Sequence, residues 1–259
     1  MMVDMTPSVD PALLSFAVEI VREAGDYTLG LFQSATLDIE RKADGSKVTQ
    51  ADHQAEHMMR NRIMEAFPAD AIQGEEHEDH AGTSGRHWVI DPIDGTESFA
   101  RGVGLYANLL FLEDEHGPAL GVINIPALQE MVWAGRGLGA WFNGVPCHVS
   151  DVAELAGAAL STSGFEYWEP EVLERARRSE MLLRTWGDGY GYVLVATGRS
   201  DAMVDPIVNY WDVAPCQVII AEAGGRLTAL DGSTNIQSGD AIATNGHLHE
   251  ALLDALTGP

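Results

Sequence analysis

WVIDPIDGTESFARG, residues 88–102, places two aspartates three positions apart around a proline, directly after a short apolar run. Because Pro92 fixes φ and has no N–H, we expect the strand HWVID to end there and the chain to turn. Gly95 and Thr96 should then open a helix whose unpaired N–H groups can bind an anion. Neighbouring acids would repel a phosphate unless divalent cations lay between them, and carboxylates, water and phosphate are the ligands that Mg²⁺ prefers. The stretch therefore predicts a metal-bridged phosphate site.

The composition is that of a globular protein with a strongly acidic surface. The chain has 259 residues, 46% of them hydrophobic, and a formal net charge of −24. This charge argues against nucleic acid as a partner, since phosphate backbones are bound by clustered Lys and Arg. Two widely spaced cysteines fit reduced thiols better than a disulfide framework. We find no signal-peptide pattern and no run of membrane-spanning length, so we expect a cytoplasmic protein without membrane contact.

Two patterns divide the chain near residue 150. Residues 1–150 predict helices over 11–32, behind an Asp10-Pro11 cap, and over 49–67, which flank a sheet of antiparallel-looking strands. Those strands are expected at 71–74, 87–91, 105–113, 118–126 and 130–135, and residues 41–48 (RKADGSKV) are expected to form a loop or hairpin turn. Residues 151–259 alternate strands near 158–162, 202–205, 226–230 and 241–245 with helices near 170–179, 189–198, 212–224 and the C-terminus. This alternation predicts a second α/β layer set that shares one compact unit with the first.

Further carboxylates stand at predicted strand ends and helix starts. Glu75 follows a short strand in GEE (74–76), Asp52 opens the second helix, and Asp212 opens the helix that begins near Trp211. Any one of them alone could be a helix cap or an exposed turn acid. Their joint occurrence with Asp91 and Asp94 favours a common metal site.

These motifs resemble one known family. VTQAD (48–52), GEE (74–76), DPIDGT (91–96) and WDVA (211–214) occur in the order typical of the inositol monophosphatase-like, Mg²⁺-dependent phosphatase superfamily. The resemblance covers nearly the whole chain. It implies an α/β and α+β fold, the layered αβαβα sandwich of the inositol monophosphatase/fructose-1,6-bisphosphatase type, and a homodimer.

The resemblance also implies roles for individual residues. It implies two or three Mg²⁺ ions per site, with Mn²⁺ as a possible substitute, and a small-molecule phosphate ester as substrate. The implied ligands are the carboxylates of Glu75, Asp91, Asp94 and Asp212 and the carbonyl of Ile93. Thr96, together with Glu75 and less directly Asp52, would orient the attacking water, and the amides of Gly95 and Thr96 would hold the phosphate.

Substrate choice is expected to depend on WGDGYGY (186–192). This segment resembles the histidinol-phosphate phosphatase branch, whereas related inositol phosphatases have small residues there. Histidinol phosphate carries an ammonium and an imidazole, which a pocket can bind with carboxylates and an aromatic wall. Asp188, Asp205, Asn209 and Tyr190 (or Tyr192) are the residues expected to flank the leaving group. Asp188 could instead cap the following helix, and the acidic residue that follows Thr96 departs from the family pattern without an evident role.

Other functions stay open at this point. Within the same chemistry, inositol-1-monophosphatase is the first alternative, and fructose-1,6-bisphosphatase and 3′-phosphoadenosine 5′-phosphate phosphatase are weaker ones. A non-catalytic protein that binds metal or a phosphorylated metabolite is the alternative from another class, against which the intact set of acids argues.

Two further patterns predict no function. His53 and His57 are four residues apart on the second helix but lack the HExxH arrangement of zinc proteases, and His77 and His80 read as surface residues bordering the site. Gly135, Gly137 and Gly139 mimic part of a dinucleotide fingerprint, yet they separate two strand-like runs, which favours a hairpin turn.

Overall fold

The computed structural model describes residues 6–34, 37, 39–41 and 47–258. Its helices are α1 (Pro11–Leu31), α2 (Gln50–Ala66), α3 (Thr96–Ala100), α4 (Pro170–Arg178), α5 (Asp188–Ala196), α6 (Tyr210–Glu222) and α7 (His249–Thr257). Its strands in the first half are β1 (Ile39–Arg41), β2 (Lys47–Thr49), β3 (Ala71–Gly74), β4 (His87–Asp94), β5 (Ala107–Asp114), β6 (Gly117–Ile125), β7 (Glu130–Gly135), β8 (Gly139–Phe142) and β9 (Val145–Pro146). Those in the second half are β10 (Ala159–Ser161), β11 (Leu182–Arg184), β12 (Ala202–Asp205), β13 (Arg226–Thr228) and β14 (Ala241–Thr244).

The two N-terminal helices begin where their capping residues predict. The Asp10 carboxylate accepts from the Ala12 N–H at 2.9 Å, and Pro11 occupies the first position of α1. At the start of α2, Thr49 and Asp52 form a reciprocal capping box, in which the Thr49 N–H donates to Asp52 Oδ2 at 2.9 Å. Side chains satisfy N–H groups that a helix start leaves without partners.

Two sheets form the frame of the molecule. The larger has seven strands in the order β3-β4-β5-β6-β7-β8-β9, antiparallel throughout except for the parallel pair β3 and β4. The smaller has five strands in the order β11-β10-β12-β14-β13, with parallel and antiparallel neighbours. The short strands β1 and β2 pair separately.

Alternation along the strands separates the layers. In β5, Leu110 and Leu112 pack with α1 and α2, while Leu109 and Phe111 face α5 and α6. In β12, Met203 faces the α5 and α6 layer, and its neighbours Ala202 and Val204 pack towards α4 and α7. Because successive strand residues point to opposite faces, each sheet is covered on both sides. The order is therefore helices, large sheet, helices, small sheet, helices, which confirms the predicted αβαβα sandwich.

The structure corrects several sequence expectations. Strand β4 does not end at Pro92 but continues to Asp94, and the short strands β8, β9 and β11 were not predicted. Gly135 and Gly139 pair across a hairpin turn, as expected. The strands on either side of residues 42–46 also pair, but the turn itself lies outside the described residues. None of the described helices has the length and apolar character needed to cross a membrane.

Candidate active site

An irregularity in β4 sets the position of the two aspartates in DPIDGT. Asp91 pairs with Leu109 and Asp94 with Ala107, so three steps along β4 oppose two steps along β5. One residue is therefore extra, which defines a bulge, and a bulge tolerates the missing N–H of Pro92. The Ile93 N–H turns back and donates to Asp91 Oδ1 at 3.0 Å. The proline bends the strand instead of ending it, and both carboxylates come to one pocket.

Asp212 completes a triad with these two aspartates. Each of the three offers a carboxylate oxygen, and these oxygens lie within 4.8 Å of one another. Asp212 stands in the first turn of α6, where its Oδ2 accepts from the Asn209 N–H at 2.9 Å. Glu75 and Ile93 line the same pocket, which has a volume of about 440 Å³. The structure thus brings all five predicted metal ligands to one place.

Burial and mutual repulsion both oppose ionisation of the triad. Burial raises the pKa of Asp91 well above its usual range, and the charges of Glu75, Asp94 and Asp212 raise it further. Burial also raises the pKa of Asp94 well above its usual range, with Asp188 and Asp212 adding to the effect. Burial raises the pKa of Asp212 to about 7, although the Asn209 N–H opposes the shift. A cluster of hard oxygen donors whose charges repel one another fits divalent cations such as Mg²⁺.

Asp52 reaches the pocket through Thr96. Its Oδ2 accepts from the N–H and the hydroxyl of Thr49, at 2.9 and 2.5 Å. Thr96 Oγ1 lies 3.2 Å from Asp52 Oδ1 and 2.9 Å from the Ile93 carbonyl oxygen. Burial raises the pKa of Asp52, while the Thr49 contacts lower it. Thr96 lines the pocket and Asp52 lies behind it, which fits the less direct role expected for Asp52.

Gly95 forms the turn between β4 and α3. It has φ +78°, a left-handed conformation that glycine adopts without steric cost. A Cβ atom here would lie 2.9 Å from Asp188 Oδ2. Helix α3 starts at Thr96, as expected, but has only five residues.

A second pocket of about 640 Å³ adjoins the first and shares Asp94, Tyr167, Asn209 and Asp212 with it. Asp188 and Asp205 also line this second pocket. Asp188 is the first residue of α5, and Gly187 rather than Asp188 occupies the N-cap position of that helix. Burial raises its pKa to about 6, and the charge of Asp205 contributes.

Asp205 is held by neighbours that occupy both of its oxygens. Its Oδ1 accepts from the Ser163 N–H at 3.0 Å and its Oδ2 from the Tyr192 hydroxyl at 2.9 Å. Burial raises its pKa, and these hydrogen bonds lower it. Asp205 therefore has fewer free acceptor positions for a ligand than Asp188.

Tyr190 does not reach either pocket. Its ring lies 5.8 Å from the guanidinium of Arg199, and Tyr192 lines the second pocket instead. Residues two apart on a helix do not share a face, so only one of the two tyrosines can point to the site. The expectation that Tyr190 flanks the leaving group is corrected in favour of Tyr192.

Several lining residues were not predicted from the sequence, among them Lys47 and Tyr167. Lys47 lines the first pocket and pairs with Glu97 at 2.9 Å, and Tyr167 lines both pockets. Lys47 is one of only two lysines in the chain, which could have singled it out. Glu97, the acidic residue that departs from the family pattern, also pairs with Arg101, and these two cations lower its pKa. We find no sequence signal for Tyr167, which lies in a single 3₁₀ turn.

Known proteins resemble this chain over nearly its full length. It is 40% identical to a histidinol-phosphatase of Chlorobaculum parvum over 252 residues, covering 93% of this chain and 95% of the relative. It is 33% identical to an inositol-1-monophosphatase of Synechocystis, covering 97% and 91%. The extragenic suppressor protein suhB of Bartonella henselae superposes with a TM-score of 0.89 at 28% identity, covering 95% and 99%. The profile of the inositol monophosphatase family matches residues 11–258, and this chain therefore belongs to that family.

Proposed function

We propose that this protein is a metal-dependent phosphomonoesterase that hydrolyses L-histidinol phosphate to L-histidinol and phosphate. The observation that carries the proposal is the charge of the two joined pockets. Seven of the described residues that line them carry a carboxylate. Only one of the described lining residues, Lys47, carries the positive charge of a lysine or arginine side chain. Lys47 is already paired with Glu97. Such a cavity favours cations on both sides of a phosphate, and the 40% identity to a histidinol-phosphatase supports the same substrate.

The metal side of the proposal assigns Glu75, Asp91, Asp94, Asp212 and the carbonyl of Ile93 as ligands of two or three Mg²⁺ ions, with Mn²⁺ as a substitute. When bound, these ions stabilise charge on the phosphate and on the leaving oxygen, and they acidify water in the site. Their binding is favoured because it reduces the repulsion among the carboxylates.

The residues that orient the attacking water in this proposal are Thr96, Glu75 and Asp52. The single Thr96 proton has two acceptors within reach, Asp52 Oδ1 and the Ile93 carbonyl. When this proton is donated to Asp52, the lone pairs of Thr96 Oγ1 are free to accept a hydrogen bond from the attacking water. Asp52 is thus a positioning residue, and the amides of Gly95 and Thr96 bind phosphate oxygens.

The leaving-group side consists of Asp188, Asp205 and Asn209, with Tyr192 holding Asp205. Both Asp205 oxygens already accept hydrogen bonds, whereas Asp188 has one side-chain partner, Ser163, and therefore more acceptor positions left for an ammonium or imidazolium. A cation at this point would relieve the repulsion between the two aspartates. A neutral inositol ring would not.

The test compares phosphate release from histidinol phosphate, inositol-1-phosphate and 4-nitrophenyl phosphate in Mg²⁺ buffer. We expect the highest kcat/KM with histidinol phosphate. Asp188→Ala should raise KM for histidinol phosphate far more than for the aryl ester, whereas Tyr190→Phe, a matched change outside both pockets, should alter neither. A preference for the inositol ester would replace our proposal with inositol-1-monophosphatase. Failure to hydrolyse any ester would favour the non-catalytic alternative.

We also propose that the protein is a homodimer in the cytoplasm and that residues 1–150 and 151–259 fold as one unit. The family resemblance supports the dimer, and the unpaired Cys147 and Cys216 support a reducing compartment. The core between the large sheet and the α5 and α6 layer contains residues from both halves, which supports joint folding. Light scattering should give twice the mass of one chain, and thermal unfolding should show one transition. A monomer or two separate transitions would contradict these proposals.

A further inference from the structure

Three histidines that the proposed reaction does not use lie close together beside α2. His53 and His57 are exposed on one side of this helix, and His77 follows two residues after Glu75. The centroid of the His77 ring lies 5.7 Å from that of His53 and 6.4 Å from that of His57. The sequence spacing of His53 and His57 alone gives no third ligand, but the fold supplies one from a different segment.

We propose that His53, His57 and His77 form a binding site for a borderline transition-metal ion, with Zn²⁺ as the natural probe, separate from the aspartate triad. A tetrahedral ion with Zn–N distances of about 2.0–2.1 Å places the centroids of two imidazole ligands about 5 Å apart. The observed separations of 5.7 and 6.4 Å exceed this value by about 0.7 and 1.4 Å. Two histidines one helical turn apart lie on the same face, so they can share one ion.

The surroundings of His77 orient its ring. Its Nδ1 lies 3.4 Å from Oε1 of Glu56, a carboxylate that is fully buried. A carboxylate beside one imidazole nitrogen favours a proton there and leaves Nε2 as the metal ligand, an arrangement common in zinc sites. This contact is independent of the spacing on α2, and it is compatible with Nε2 of His77 as the third ligand.

The backbone of the segment that carries His77 is also fixed. Glu56 accepts from Arg60 Nε at 2.6 Å and from the Glu76 N–H at 2.7 Å. Arg60 in turn donates to the carbonyl of His77 at 3.2 Å. Because this buried pair holds the segment against α2, binding of an ion requires side-chain rotations but no backbone movement.

The three rings do not yet converge on one point. Among the described residues, only the aspartate triad has ligand atoms of His, Cys, Asp or Glu within 4.8 Å of one another. His53 and His57 are exposed, however, and exposed side chains change rotamer readily, so these two rings can turn towards the oriented His77. Imidazole nitrogens suit Zn²⁺, whereas oxygen donors suit Mg²⁺, so the two sites differ in the ion they select.

The experiment is a calorimetric titration of the full chain with Zn²⁺ in excess Mg²⁺, which occupies the carboxylate pocket. We expect one Zn²⁺ per chain, and at least a tenfold weaker Kd in His57→Ala and in His77→Ala. His116→Ala removes an exposed histidine elsewhere and should leave the titration unchanged. An unchanged Kd in His77→Ala would overturn the proposal, as would the absence of any Zn²⁺ binding by the wild-type chain.

Thermal unfolding gives a second readout that does not depend on activity. Zn²⁺ should raise the Tm of the wild-type chain and of His116→Ala, but not that of His77→Ala, because an ion bound to the folded state stabilises it. An equal increase in all three proteins would place the ion elsewhere and refute the site. Neither outcome bears on the proposed phosphatase reaction.

Discussion

Gly121 in β6 packs directly against the backbone of α6, and replacing it by alanine should disturb the metal site without touching any of its residues. A Cβ atom at this position would lie 2.3 Å from the carbonyl oxygen of Pro215 and 3.0 Å from its Cα. Pro215 lies inside α6, one turn after Asp212. Both contacts are with backbone, so rotation of a side chain cannot relieve them. The helix has to move away from the sheet.

The size of this movement follows from the contact distance. A carbon and a carbonyl oxygen approach to about 3.2 Å at closest, so α6 has to shift by about 1 Å. Overpacking of this kind destabilises a core by about 1–3 kcal/mol, and each kcal/mol lowers the Tm of a chain this long by about 2–4 °C. Asp212 moves with α6 while Asp91 and Asp94 stay on β4. A displacement of about 1 Å in a catalytic group can reduce the rate about 100-fold.

The assay pairs thermal unfolding with phosphate release at increasing Mg²⁺ concentration. Gly121→Ala should lower the Tm, lower kcat and raise the Mg²⁺ concentration needed for half-maximal rate. Gly30→Ala is the matched control, because a Cβ at Gly30 in α1 meets no atom of the described residues within 4 Å. The control should be as stable as the wild type or slightly more stable. A Gly121→Ala protein with wild-type Tm and Mg²⁺ dependence would refute the argument that close backbone packing positions Asp212.

Three further changes test other parts of the site and fold. Asp94→Asn should nearly abolish turnover while leaving the Tm in EDTA unchanged or higher, since it removes one of the repelling charges; retained activity would refute its assignment as a metal ligand. Glu56→Gln leaves Arg60 buried without its counter-ion and should cost about 3–5 kcal/mol in the free energy of unfolding, measured by urea titration, and a loss below 1 kcal/mol would contradict this. Burial lowers the pKa of His249 to about 4 from 6.5, so protonation favours the unfolded chain. The free energy of unfolding should therefore have its full value above pH 6.5 and fall as the pH is lowered towards 4. The fall should be less steep in His249→Gln, and equal slopes in the two proteins would exclude His249 as its cause.

The sequence predicted those parts of the fold that local chemistry determines. The Asp10-Pro11 cap places the start of α1, the helix predicted from residue 49 begins within one residue of α2, and the apolar runs at 71–74 and 130–135 coincide with β3 and β7. The strands β8, β9 and β11 have two to four residues each, and pairing with neighbours stabilises them more than their own sequence does. Such short strands carry too few residues to show a period.

The site was predicted from helix starts and strand ends, and the errors arose where position depends on tertiary structure. The dipeptide Asp91-Pro92 predicts a strand end because proline cannot donate a hydrogen bond in a regular ladder, but a bulge in β4 accommodates the proline. Which of Tyr190 and Tyr192 faces the pocket depends on the rotation of α5 about its own axis. Packing against the sheet fixes this rotation. Lys47 is distant in sequence from DPIDGT, and its contact with Glu97 forms only in the folded chain.

Both pockets are acidic and need positive charge, which bound cations supply in the first and a cationic leaving group supplies in the second. The carboxylates of Asp91, Asp94 and Asp212 repel one another unless cations join them, so metal binding also stabilises the fold around β4 and α6. Cations held in the first pocket would attract the phosphate. The negative charge of the phosphate would then add to that of the acids in the second pocket. None of the described residues that line the second pocket with Asp188 and Asp205 is a lysine or arginine. A leaving group with an ammonium and an imidazole supplies positive charge there, whereas a neutral polyol leaves the second pair of acids uncompensated. The charge distribution thus selects the metal and the alcohol together, and the selectivity for histidinol phosphate over inositol phosphate should shrink as ionic strength rises.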